Sequence, residues 1–367
     1  MIAPVSYPAE GQSPSDVRTL MTKNIMLYYS QIFIITLLLS ALLTYFVMKL
    51  ATKLGVMDQP DEERKIHGRA VPLLGGSAVF AAFFIILYFT RDKLLAGNLG
   101  VSHWLGFFIG ACFLMVGGFL DDKYNLKPLK QFIWPILAIA SVIGGGVAIE
   151  KITNPLGGFI YLGALSALLI SVWLLGMMYT TKILDGLDGL VTGLTAIGAL
   201  IIFLFTMTTK YYQPDIGLAA LILAAASFGF LFFNWHPAKI FLGEGGSLFL
   251  GYALGVLAII SGGKIAMALL VMGIPILDVA WTIIRRLAAG KNPFKFADRR
   301  HLHFRLLDLG LSVRKSVLLF YAISLIFGLG ALLLQSLGKV MALAALAAVM
   351  IMIIIFFAYL DRKKKVV

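Results

Sequence analysis

Carboxylates, cations and glycines recur in this chain in five short clusters, and the clusters share a chemistry. Asp121 and Asp122 stand side by side, followed by Leu126, Pro128 and Lys130. Adjacent carboxylates cannot both ionise freely, which suits a proton acceptor or a metal ligand. Asp185-Gly186-Leu187-Asp188-Gly189-Leu190 places two Asp three residues apart, on one side of a helical turn, with glycines that let a ligand approach the backbone. Asn234-Trp235-His236-Pro237-Ala238-Lys239 leads into Gly243-Glu244-Gly245-Gly246-Ser247, a glycine-rich run opening a helix. The free amides of such a start favour phosphate, and Glu244 is placed to hold a metal there. His301-Leu302-His303-Phe304-Arg305 lies in a basic loop suited to a polyphosphate or nucleotide-sugar. Arg64, Lys65 and His67 precede Pro72 and Gly75-Gly76 in a turn-rich loop.

Each cluster has a plainer reading: a snorkelling helix end for the Asp pair, an ordinary turn for Asp-Gly, a cap for Ser247, a basic loop on anionic lipid for the His-Arg run. Their combination decides between these. Hard oxygen ligands beside cations, with one cysteine (Cys112) and five histidines in the chain, point to Mg²⁺, with Mn²⁺ as alternative, and to phosphate. Zinc wants more His or Cys. Metal, cations and an orienting carboxylate are the equipment of phosphoryl transfer.

The elements that must position these residues are membrane helices. Of 367 residues, 60% are hydrophobic, gathered in blocks long enough to cross a bilayer as helices. The fold expected is all-α and polytopic, with about eleven spans at 27–48, 74–89, 103–120, 131–148, 159–178, 191–207, 216–234, 247–261, 265–284, 317–335 and 340–360. The spans at 74–89 and 247–261 are short, so they are expected to tilt or to be enclosed by neighbours. Residues 1–26 read as a polar tail without signal-peptide character, 27–360 as a single transmembrane domain with a long loop at 285–315, and 361–367 as a basic tail. Most of the 31 Lys and Arg fall on the side holding the first loop, which the positive-inside rule makes cytoplasmic. The N-terminus is then outside and the C-terminus inside. The net charge of +13 lies in loops between spans, which argues for lipid contact and against nucleic acid. A transporter would place its ionisable groups at mid-bilayer; here they cluster at the cytoplasmic edge, so a transporter is the lesser alternative, with an inactive lipid- or nucleotide-binding relative as another.

In order and content the five motifs resemble those of the polyprenyl-phosphate N-acetylhexosamine-1-phosphate transferases, glycosyltransferase family 4, over about residues 28 to 335. The matching residues are Arg64, Lys65 and His67; Asp121, Asp122, Leu126 and Lys130; Asp185 to Leu190; Asp278 ahead of Arg285-Arg286; and His301, His303, Arg305 and Leu306. The resemblance implies a cytoplasmic cleft in a bacterial plasma membrane, Mg²⁺, a UDP-sugar donor, undecaprenyl phosphate as acceptor, UMP as product and a place at the start of cell-envelope polysaccharide synthesis; a homodimer stays open. It implies Asp121, Asp122 and Asp188 as catalytic and Glu244 with Asp188 as metal ligands. Substrate binding falls to Arg64, Lys65, His67, Lys130, Lys182, Asp185, Asn234, His301, His303 and Arg305. The His-x-His-x-Arg form resembles the N-acetylglucosamine branch, with the phospho-muramoyl-pentapeptide reaction as alternative. Four positions depart from the pattern, Glu244, Tyr179, Lys182 and Phe304, the last standing where a third His is common. Glu244 stands where the family usually has Asp, and Tyr179 and Lys182 stand where it has Asn, so Lys182 is expected to contact a phosphate or to pair with Asp185.

Overall fold

The computed structural model describes residues 14–60, 70–154, 157–208, 211–262, 265–290 and 300–364. Helices dominate. They are α1 (Pro14–Leu54), α2 (Gly75–Phe89), the short α3 (Arg91–Leu94), α4 (Val101–Tyr124), α5 (Pro128–Gly144), α6 (Leu165–Leu184), α7 (Leu190–Thr206) and α8 (Pro214–Asn234). The second half adds α9 (Gly243–Ile260), α10 (Ile265–Val271), α11 (Gly273–Ala288), α12 (Leu302–Asp308), α13 (Val313–Leu333) and α14 (Ser336–Lys364). Two small antiparallel hairpins interrupt them, β1 (Met57–Asp58) with β2 (Val71–Pro72) and β3 (Lys151–Thr153) with β4 (Phe159–Tyr161).

By length and apolar composition, α4, α6, α8, α9, α13 and the apolar parts of α1 (Lys23–Leu54) and α14 (Leu337–Leu360) each suffice to cross a membrane, seven among the described residues. α10 and α11 pass together but bend by 82° at their junction, and α2, α5 and α7 are apolar but shorter. Burial separates centre from rim. The most apolar stretch of α9 is 89% buried and that of α8 is 78%, whereas those of α1 and α14 are 17%. α8 and α9 are therefore the hub, and α1 and α14 show leucine, isoleucine and phenylalanine outward, as lipid-facing helices do.

Close approach at the hub depends on small residues, which let backbones touch where a side chain would hold them apart. A Cβ on Gly118 of α4 would lie 2.0 Å from the amide nitrogen of Gly245, and one on Gly76 of α2 would lie 2.0 Å from the Gly246 Cα. α2, α4 and α9 are thus joined backbone to backbone at the end where Glu244 stands. Towards the other end Phe80, Phe83, Phe84, Phe107 and Phe249 pack edge-on and tilted, filling the space between these helices. On α1, buried Ser40 donates to the Ala226 carbonyl of α8 at 2.6 Å.

Two expected spans need correction. The fifth does not begin at 159: residues 159–161 form β4, and the helix runs instead from Leu165 to Leu184. The ninth is not one rod. Pro275 lies in the first turn of α11, where its missing N–H and fixed φ are tolerated, and the chain turns just before it. Enclosure by neighbours holds for the short eighth span, which is α9.

Candidate active site

The site forms where α4, α6 and α8 end and α7 and α9 begin. α4 closes at Asn125, whose left-handed conformation (φ 49°) turns the chain into α5. That turn is held by Asp121, 8% exposed, whose Oδ1 accepts from the Leu126 amide at 2.9 Å and from Gln131 Nε2 at 3.0 Å. Asp122 faces the other way. Both its oxygens accept from the Glu244 amide, at 3.1 and 3.2 Å, in the first turn of α9. The helix-start amide expected to be free for phosphate is therefore occupied by Asp122, a carboxylate that the positive end of the helix dipole favours. Gly243, at φ 74°, makes this approach possible, since a Cβ there would sit 2.5 Å from Asp122 Oδ2. Ser247 is not a cap; its hydroxyl donates back to the Glu244 carbonyl from within the helix.

Lys182, in the last turn of α6, reaches across this junction. Its ammonium lies 2.8 Å from Glu244 Oε2, 3.9 Å from Asp121 Oδ2 and 3.1 Å from Gln131 Oε1. Its ion-pair partners are thus Glu244 and Asp121, not Asp185. Asp185 follows at that helix end and lines the cavity, half-buried. Burial holds its carboxyl well above the usual carboxylate range, and the charges of Glu244, Asp122 and Asp188 add to this. Asp188 Oδ2 meets His236 Nδ1 at 2.7 Å and accepts from the Ala238 amide at 3.0 Å.

Asn234 fixes this loop. Its Oδ1 accepts from the Gly189 amide at 3.1 Å and the Thr192 hydroxyl at 2.9 Å, and its Nδ2 donates to the Ile240 carbonyl at 3.0 Å. It is 3% exposed and acts first as a fastener, although it also borders the cavity.

Asp122, Lys182, Asp185, Asp188, Asn234, His236 and Glu244 line a single cavity of about 820 Å³, with Asp58, Ser247 and Phe304 also on its wall. The His-x-His-x-Arg run sits differently. His301 is buried against α11, with Nδ1 2.9 Å from Asp278 Oδ2. His303 is fully buried behind the Asp185 loop, where a Cβ on Gly186 would lie 2.8 Å from its Nε2. Among the described residues neither ring nitrogen of His303 has a hydrogen-bond partner, and burial, with His301 adding, lowers its pKa to about 3. Arg305 lies over the Phe357 ring, 4.9 Å from its centroid, and lines a separate cavity of about 140 Å³ with Asp278, Arg285 and Arg300. Of this motif, Phe304 is what borders the large cavity. Lys130 is exposed on α5, away from the cavity wall. Arg64, Lys65 and His67 lie outside the described residues.

Two participants escape a sequence reading. Gln131 links Asp121 to Lys182 but opens an apolar stretch and belongs to no motif. His236 had a signal: one of five histidines, next to proline, just ahead of the glycine-rich run. Its link to Asp188, 48 residues earlier, is visible only in three dimensions.

The profile of glycosyl transferase family 4 matches residues 104–262, a stretch running from before Asp121 to beyond Glu244. A probable undecaprenyl-phosphate N-acetylglucosaminyl 1-phosphate transferase of Bacillus subtilis is 34% identical over 311 residues, covering 83% of this chain and 84% of the relative. A decaprenyl-phosphate N-acetylglucosaminephosphotransferase of Mycobacterium tuberculosis is 32% identical over 319 residues, 77% and 78% of the two chains. An undecaprenyl-phosphate alpha-N-acetylglucosaminyl 1-phosphate transferase of Thermotoga maritima is 30% identical over 294 residues, 80% and 86%. Likeness of this extent, running through the residues that line the cavity, means that the chain belongs to glycosyl transferase family 4, among the polyprenyl-phosphate sugar-1-phosphate transferases.

Proposed function

We propose that this protein transfers N-acetylglucosamine 1-phosphate from UDP-N-acetylglucosamine to undecaprenyl phosphate and releases UMP. The observation that carries the reading is the meeting of Asp122, Asp185, Asp188 and Glu244, from three separate motifs, on one cavity wall. The names of the relatives supply the donor sugar and the acceptor class. An oxygen of the acceptor phosphate attacks the β-phosphorus, the one bearing the sugar. The bond from that phosphorus to the bridging oxygen breaks, and UMP leaves with the electron pair.

Asp122, held by the α9 amide, is the group to orient or deprotonate the acceptor phosphate. Asp185, with its raised proton affinity, can stand beside a phosphate with less repulsion than an ionised carboxylate, and when protonated it donates to it. Asp188 steadies His236; in the tautomer where Nδ1 donates to Asp188, Nε2 is left to accept from a substrate hydroxyl.

Mg²⁺, or Mn²⁺ in its place, suits the donor set, because carboxylate oxygens outnumber cations on this wall. Among the described residues no three His, Cys, Asp or Glu converge as a ready metal cage. Mg²⁺ is usually held by one or two carboxylates with substrate phosphates completing the shell. Glu244 and the uncommitted oxygen of Asp188 are the residues to hold it, and the ion would offset charge on the pyrophosphate. In the same reading residues 27–360 form one transferase domain of eleven membrane segments in a bacterial plasma membrane. The cavity opens to the cytoplasm, the N-terminus is outside and the C-terminus inside, in keeping with the Lys and Arg asymmetry.

The test is UMP release by the detergent-purified protein with Mg²⁺, undecaprenyl phosphate and UDP-N-acetylglucosamine. EDTA should abolish release, and Asp122→Asn should lower it by about 100-fold or more with the protein still monodisperse. No release with any UDP-sugar from a folded protein would overturn the reading.

A further inference from the structure

The Lys182 ammonium is placed where a metal ion's charge would be expected. It sits 2.8 Å from one Glu244 oxygen, with Asp121 Oδ2 at 3.9 Å and Gln131 Oε1 at 3.1 Å, and Gln131 in turn donates to Asp121. The pair is not sealed away: the Lys182 side chain is 20% exposed and that of Glu244 35%, and both line the large cavity. Two other carboxylates on that wall, Asp122 and Asp188, are engaged within the protein. Both Asp122 oxygens take the Glu244 amide, and Asp188 Oδ2 takes His236 and the Ala238 amide. Glu244, in the first turn of α9, is a carboxylate placed to meet a divalent ion, and one of its oxygens is already covered by a compact point charge on a flexible stem. Two cations cannot share one carboxylate oxygen at contact distance without strong repulsion.

We propose that Lys182 is a tethered counter-cation for Glu244, and that a divalent ion enters this site only by displacing it. The inference deepens the reading given above and shares its site. The reach of Glu244 makes the device possible, because its long side chain brings the carboxylate from the start of α9 to the end of α6. A lysine in the last turn of a helix is also favoured by the helix dipole. That role alone would leave metal affinity unchanged, which makes metal affinity the deciding measurement.

Mn²⁺ serves as the probe, with free Mn²⁺ read from its electron paramagnetic resonance signal in titrations of the full-length protein in detergent. Lys182→Met should bind Mn²⁺ more tightly than the wild type, on the order of 10- to 100-fold, the range typical of groups that tune a metal ligand. In a Glu244→Gln background the same substitution should change nothing. If Lys182→Met is not monodisperse, Lys182→Gln keeps a polar group towards Glu244 without the charge and carries the same expectation. Unchanged or weaker Mn²⁺ binding in the folded variant overturns the proposal. UMP release by the wild type reports separately on the function. An active wild type with unaltered Mn²⁺ affinity in Lys182→Met overturns only the counter-cation, and tightened Mn²⁺ binding in a protein that releases no UMP overturns only the transferase reading.

Discussion

His303 illustrates how a motif's residue types are legible while their placement is not. A run of two imidazoles and an arginine in a basic loop reads as an anion site, yet His303 is fully buried, His301 faces Asp278, and Arg305 turns to Phe357. Nothing in their spacing says which face of the short α12 meets the Asp185 loop; that depends on where α11 and α14 put their side chains. The asymmetry has a measurable consequence. His303 stays neutral in the folded chain down to about pH 3, against an ordinary value of 6.5, so below 6.5 the unfolded chain takes up a proton that the folded one refuses. Stability should therefore fall as pH drops through that window, by about 2 kcal/mol at pH 5 from this residue. Thermal melts of His303→Leu in detergent should show a shallower acid limb than the wild type, whatever the offset at neutral pH; an unchanged slope would rule His303 out as its source. Lys182 and Glu244 show the complementary case. Both were legible as departures from the family pattern, and only the fold shows that they touch.

For the helices, apolar block length was a good guide and local breaks were not. α8 and α9 occupy the stretches that hydropathy assigns them, because an apolar run of that length in lipid has no stable alternative to a helix. The break before α11 and the β3–β4 hairpin fall inside or at the edge of apolar runs, where mean hydropathy is insensitive to a proline or a pair of glycines. The glycine-rich run at 243–246 was legible as a special segment, and the fold gives it a role that the sequence did not announce. Its glycines serve helix contact, with Gly245 against Gly118 and Gly246 against Gly76. In Gly118→Ala the new Cβ would fall 2.0 Å from the Gly245 nitrogen and 2.1 Å from its Cα, both backbone atoms that cannot turn aside. The substitution should cost about 1–3 kcal/mol of stability, as overpacking does. It should also lower UMP release, because Asp122 and the Glu244 amide move apart with the helices. Gly144→Ala, which meets nothing within 4 Å, is the matched control and should melt as the wild type does. Equal melting of the two variants would remove the backbone contact from the account.

Taken whole, the molecule concentrates its chemistry at one end. The cavity residues come from the ends of α4, α6 and α8, the starts of α7, α9 and α13, the β1–β2 pair and α12, while the β3–β4 hairpin links α5 to α6 at the end away from it. In the proposed orientation the cavity end faces the cytoplasm, and accessibility to a membrane-impermeant maleimide tests this. With Cys112 replaced by serine, a cysteine at Tyr161, exposed on β4, should label in intact cells. One at Lys127, exposed beside the Asp121 turn, should label only after permeabilisation. The reverse pattern would invert the orientation. The same architecture bears on redesign. Through three hydrogen bonds Asn234 ties the start of α7 to the chain just ahead of α9. Replacing Asn234 with a residue that cannot make these bonds would strand an amide, a hydroxyl and a carbonyl at that knot. In a chimaera with a relative, both loops and the last turn of α8 should therefore move together as one cassette.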